Sequence, residues 1–113
     1  MVSSSWTGQA ERAAWQRRAA AELAAILDAH AGLPLISWTV GPAGSVLAGR
    51  VSGLAPAAQV REVFTAWQKG LALGEAREDQ MSGGTAWLHS TARRHEVTVR
   101  LTATVFDDED GDL

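Results

Sequence analysis

The stretch Glu96-Val97-Thr98-Val99-Arg100-Leu101-Thr102-Ala103-Thr104-Val105 alternates without a break. Val97, Val99, Leu101, Ala103 and Val105 fall on one side of an extended chain. Glu96, Thr98, Arg100, Thr102 and Thr104 fall on the other. A period of two, carried by β-branched residues, predicts a strand with one buried and one polar face. Only one face of the resulting sheet needs a cover, and the rest of the chain supplies it.

Working back from this strand, the sequence reads as a helix followed by a hairpin, twice. Residues 9–30 are rich in Ala, Glu, Arg, Gln and Leu, and Trp15, Ala19, Leu23, Ile26 and His30 recur at spacings of three and four. That is one stripe of a helix, with Thr7 placed to cap its start and Gly32 and Pro34 to stop it. Residues 35–40 alternate, with Ile36, Trp38 and Val40 on one face. Gly41-Pro42-Ala43-Gly44-Ser45 is turn chemistry, and residues 46–51 return with Leu47 and Val51 in phase. Pro56 then opens a second helix, whose buried stripe is Val60, Val63, Phe64, Trp67 and Leu71 and whose end falls between Gly70 and Gly74.

Residues 75–81 are charged and suit an edge strand, where charge discourages sheet-to-sheet pairing. Ser82-Gly83-Gly84 turns the chain into a strand over residues 85–92, and Arg93-Arg94-His95 turns it into the last one. The fold class is therefore α+β: a two-layer αββαβββ domain, with an antiparallel sheet of about five strands and two helices on one face. Residues 1–8 are expected to be a flexible lead, 9–106 a single domain and 107–113 an acidic disordered tail.

Composition narrows the function classes. The chain has 113 residues, 46% of them apolar, and no cysteine. One core can form at that length, and it must hold by packing alone. No apolar run approaches the ~20 residues of a membrane span, and the first residues lack the pattern of a signal peptide, so a cytoplasmic protein is expected. The formal charge is −3. Asp107, Asp108, Glu109, Asp110 and Asp112 hold five of the thirteen acids, which leaves ten basic and eight acidic residues, or +2, on the body. A near-neutral body with an acidic end argues against nucleic acid as a partner.

Candidate chemistry is sparse. His30 sits in the last turn of the first helix, where positive charge is favoured. His95 belongs to a turn. His89 shares a strand side with Trp87, Thr85 and Thr91, but no carboxylate or nucleophile is tied to it by spacing. No metal-ligand spacing is present. Asp108, Asp110 and Gly111 imitate part of a calcium loop, yet its first ligand would fall on Phe106. The glycine turns lie between strands, whereas a phosphate cradle leads into a helix. No catalytic residue, metal or cofactor is assigned, and the chain is expected not to be an enzyme.

Trp15, Trp38 and Trp67 are in phase with core stripes. Trp87 is ambiguous: either Trp87 and His89 face the core, or Ala86, Leu88 and Ser90 do. If Leu88 points inward, Trp87 stands on the outer sheet face, where tryptophan marks partner surfaces. The candidate interaction surface is then Trp87, His89, Thr98, Arg100 and Thr102. Arg93, Arg94 and His95 form a candidate basic patch.

The stretch from Leu33 to Gly44 (Leu33-Pro34-Leu35-Ile36-Ser37-Trp38-Thr39-Val40-Gly41-Pro42-Ala43-Gly44), the segment Leu54-Ala55-Pro56-Ala57-Ala58-Gln59-Val60-Arg61 and the Phe64 and Trp67 pair resemble a group of small actinobacterial proteins with no assigned activity. The resemblance spans residues 15–106 and rests on a hairpin turn and a Pro-started helix. It implies a bacterial cytoplasmic origin and transfers no functional residue. The function these readings lead to is a non-enzymatic interaction module, homodimeric or binding a protein partner. The alternatives are a small-molecule binder with a pocket lined by Trp87 and His89, or a weak nucleic-acid-binding regulator.

Overall fold

A computed structural model describes residues 3–41 and 45–106. Its elements run α1 (Ser3–Ala29), β1 (Ser37–Val40), β2 (Val46–Val51), α2 (Ala57–Gly70), β3 (Arg77–Met81), β4 (Thr85–Arg94) and β5 (Val97–Phe106). The order is αββαβββ, as the periodicities predict, and β3 is the charged edge strand. The acidic run from Asp107 onward, with its partial calcium-loop pattern, lies outside the described residues, as do Pro42, Ala43 and Gly44 of the first turn.

The five strands form one sheet in the order β1-β2-β5-β4-β3. β1–β2, β3–β4 and β4–β5 are antiparallel, while β2 and β5 run parallel, with Leu47 opposite Val99 and Gly49 opposite Leu101. The parallel pair follows from the route of the chain. α2 carries it from β2 to the far edge at β3, and the β3–β4–β5 meander returns it beside β2.

The core lies between the sheet and the helices. Leu47, Val51, Ala86, Leu88, Val97, Val99, Leu101, Ala103 and Val105 line the covered side of the sheet, and Val60, Phe64, Trp67 and Leu71 meet them from α2. From α1 come Ala19 and Ile26. Each of these large aliphatic side chains gains about 1.5–3 kcal/mol from leaving water. Trp38 lies over Gly49, where a Cβ would stand 2.9 Å from the indole ring, so β2 carries glycine at the point where the ring crosses it. Gly70 admits Leu33 in the same way, also at 2.9 Å.

α1 begins at Ser3, ahead of Thr7. Nothing between Ser3 and Gln9 breaks a helix, and Gly8 costs only about 1 kcal/mol against alanine. Pro56 is the N-cap of α2, with Val60 N–H donating to Pro56 O at 3.0 Å. α2 ends between the two glycines, and the residue that takes the left-handed conformation is Ala72, at φ 53°. Leu73 N–H donates to Gln68 O and Ala72 N–H to Lys69 O, the paired bonds of a Schellman cap. A left-handed alanine costs roughly 1 kcal/mol that glycine avoids. Ala72→Gly is therefore expected to raise stability by about 0.5–1 kcal/mol, seen as a higher urea midpoint at unchanged slope. A fall in the midpoint would show that the cap is not limited by this backbone strain.

Candidate interaction face

Strand alternation assigns every sheet residue to one of two sides, and the helices occupy only one. The other side carries Ser37 and Thr39 from β1, Val46, Ala48 and Arg50 from β2, and Thr98, Arg100, Thr102, Thr104 and Phe106 from β5. β4 adds Thr85, Trp87, His89, Thr91 and Arg93, and β3 adds Arg77, Asp79 and Met81. All are exposed or half-buried, and on β2, β4 and β5 they alternate with residues most of which are buried.

The register sets their neighbours. One row across the sheet reads Ser37, Arg50, Thr102, His89, Arg77, and the next holds Thr39, Ala48, Arg100 and Thr91. Toward one end follow Thr104, Trp87 and Asp79, then Phe106, Thr85 and Met81. The face is thus graded. Its middle is arginine set among hydroxyls, and one end presents Phe106, Met81 and Trp87, which are 53%, 54% and 37% exposed.

Leu88 is buried, so Trp87 points outward. Its ring stacks on His89 at 4.5 Å between centroids and 26° between planes. His89 Nε2 lies 3.2 Å from Asp79 Oδ2. The carboxylate only accepts, so this nitrogen carries the proton when the bond forms. Among the described residues no hydroxyl hydrogen-bonds to His89. The two rings face each other and do not wall a cavity between them. Trp87, His89, Thr98, Arg100 and Thr102 do share one face, as their alternation implies.

Arg93, Arg94 and His95 do not form one patch. Successive strand residues point to opposite sides. Arg93 is on the open face, with Nη1 donating to Thr98 Oγ1 at 3.3 Å. Arg94 points to the helical side, where its Nε donates to Glu22 Oε2 at 3.3 Å and its Nη1 to Leu71 O at 3.1 Å, at the end of α2. His95 and Glu96 form the tight turn, with φ 51° and 68°. Two positive φ values in a two-residue hairpin loop match the right-handed twist of the strands. His95 Nδ1 sits 2.8 Å from Glu22 Oε1, which makes it a structural contact with α1.

Glu22 is the residue the helical stripe leaves out. It is 7% exposed and lies between Ala19 and Ile26 on the buried side of α1. Burial pushes its carboxyl pKa up, but the bonds from His95 and Arg94 outweigh that and hold it below the usual value. Glu78 is also held low, chiefly by the two-pronged bond from Arg61 of α2 at 2.9 and 3.1 Å. That pair ties the edge strand to the helix layer. Its sequence signal was faint, because seventeen residues separate the partners.

Arg50 and Arg77 complete the open face. Among the described residues, Arg50, Arg77 and Arg100 form no salt bridge. A groove of about 500 Å³ runs beside Arg50, between Ser37 and Ser52 on one side and Thr104 and Phe106 on the other. No helix is long and apolar enough to cross a membrane, and no cluster of three or more His, Asp or Glu is placed for a metal, both among the described residues. No family model, no curated protein and no solved structure matches this chain.

Proposed function

We propose that this chain is a non-enzymatic interaction module, in a cytoplasmic setting, that engages a protein partner or a second copy across the open face of its sheet. The observation that carries this reading is the composition of that face. Among the described residues, Trp87, Phe106, Met81 and four arginines stand there with a single acid, Asp79, and no lysine. Aromatic residues, Met and Arg are the types enriched at protein interfaces, while Lys, Glu and Asp are depleted. The intervening threonines offer hydroxyls that bond water and a partner equally well.

Photo-crosslinking tests it. A benzophenone side chain placed at Thr102, on the open face, is expected to yield a discrete adduct in lysate of the source cells. The same group at Glu62, on the outward side of α2, is expected to yield none. Equal labelling at both positions, or a strictly monomeric chain that forms no adduct at either, would sink the reading.

A further inference from the structure

We infer that the occupant of the open face is an acidic segment of a partner protein, whose carboxylates seat on Arg50 and Arg100 and whose apolar side chain packs against Phe106. This rests on the reading of the face as an interaction surface and names the chemistry of its partner.

Charge complementarity selects the partner. The face holds Arg50, Arg77, Arg93 and Arg100 against Asp79, and Asp79 is already engaged by His89. A carboxylate brought to Arg50 meets a guanidinium with no salt bridge among the described residues. The Ser37 hydroxyl lies on one side of it and the Thr102 hydroxyl on the other. A guanidinium presents paired N–H donors that match both carboxylate oxygens, and flanking hydroxyls can supply further donors. Arg100 stands one row away on β5, so a second acid on an extended segment has a counterpart. The groove beside Arg50 is also lined by Phe106 and Leu54, which are 53% and 95% exposed. These apolar side chains are what a bulky side chain adjoining the acids would be buried against.

The same features disfavour the other occupants. Two copies packed face to face would oppose one arginine field to another, and such like-charge contact is disfavoured. A single-stranded nucleic acid would find its phosphates matched, but successive bases need a series of open aromatic faces. Trp87 is already stacked on His89, and the acidic Asp79 is its cross-strand partner on β3.

Fluorescence anisotropy with three labelled probes decides the matter. They are a short Asp/Glu peptide with one central Phe, its Asn/Gln counterpart, and an oligothymidylate. The acidic peptide is expected to bind saturably and to weaken with salt. The amide peptide should bind at least about tenfold more weakly. Arg50→Glu and Arg100→Glu should each cost about tenfold or more, and Lys69→Glu, at the end of α2, less than about twofold. Retained tryptophan fluorescence and circular dichroism would show that the variants fold. Equal binding of the two peptides, indifference to Arg50→Glu, or no binding of any probe overturns the acidic partner. Tighter binding of the oligothymidylate overturns it in favour of nucleic acid. Self-association abolished by Arg50→Glu overturns it in favour of a second copy. If the peptides fail while crosslinks at Thr102 persist, only the partner chemistry falls; if both fail, the interaction face falls with it.

Discussion

Replacing Trp67 by alanine is expected to remove about 3–5 kcal/mol, a large part of the 5–15 kcal/mol that holds a domain of this size together. Trp67 is 2% exposed and ties α2 to β1 and to the α1–β1 connection. Its ring meets Trp38 of β1 edge-on at 5.6 Å and lies 6.3 Å from His30 beyond the end of α1. Its Nε1–H donates to Pro34 O at 2.6 Å, so the α1–β1 connection is bonded directly to α2. Truncation loses the buried area, the edge-on contact and the donor together, and leaves the Pro34 carbonyl without its partner. Trp67→Phe separates these contributions: it keeps an aromatic ring on Trp38 and should cost less, roughly 1–2 kcal/mol. Urea unfolding followed by circular dichroism measures both. A loss below about 1 kcal/mol for Trp67→Ala would mean that the connection is held elsewhere.

The parts of the molecule that were legible in the sequence are those governed by period. β5 shows its two faces in the alternation of residues 96–105, and α2 shows its stripe from Val60 to Leu71. Both depend on nearest neighbours along the chain. The parallel pairing of β2 with β5 does not, because it depends on where α2 delivers the chain, and no local pattern records that. The open face was half legible for the same reason. Trp87, His89, Arg100 and Thr102 could be grouped from two adjacent strands. Arg50 and Arg77 join them only once the sheet order places β2 and β3 on either side of that pair. The basic turn failed as a patch through alternation itself: Arg93 and Arg94 are consecutive on a strand and cannot share a side. Glu22 did leave a signal, since a carboxylate on a buried helical stripe requires a partner. The sequence could not say that the partner is more than seventy residues away.

That partnership makes the second prediction. Glu22→Ala is expected to cost about 1–3 kcal/mol at pH 7, because it strips a charge-assisted bond from Arg94 and the contact with His95 at once. His95 is 79% exposed on its side chain and recovers water, so the greater loss is at Arg94, which still reaches Leu71 O. The dependence on pH has a definite sign. The Glu22 carboxyl is held below the value it takes in the unfolded chain, so its stabilisation is complete above that unfolded value, about 4.3. It is lost as pH falls through the lower folded value, where folded and unfolded states bind the proton alike. Glu78, held low by Arg61, adds a loss of the same sign in the same direction. The wild-type chain should therefore lose stability below about pH 4.5, and Glu22→Gln should flatten that acid limb. Urea midpoints at neutral and acid pH read the effect: wild type and Glu22→Gln should differ most near pH 7 and converge on acidification. A gap that stays constant with pH would show that Glu22 acts through packing and the shape of its hydrogen bonds, and that its charge does not contribute.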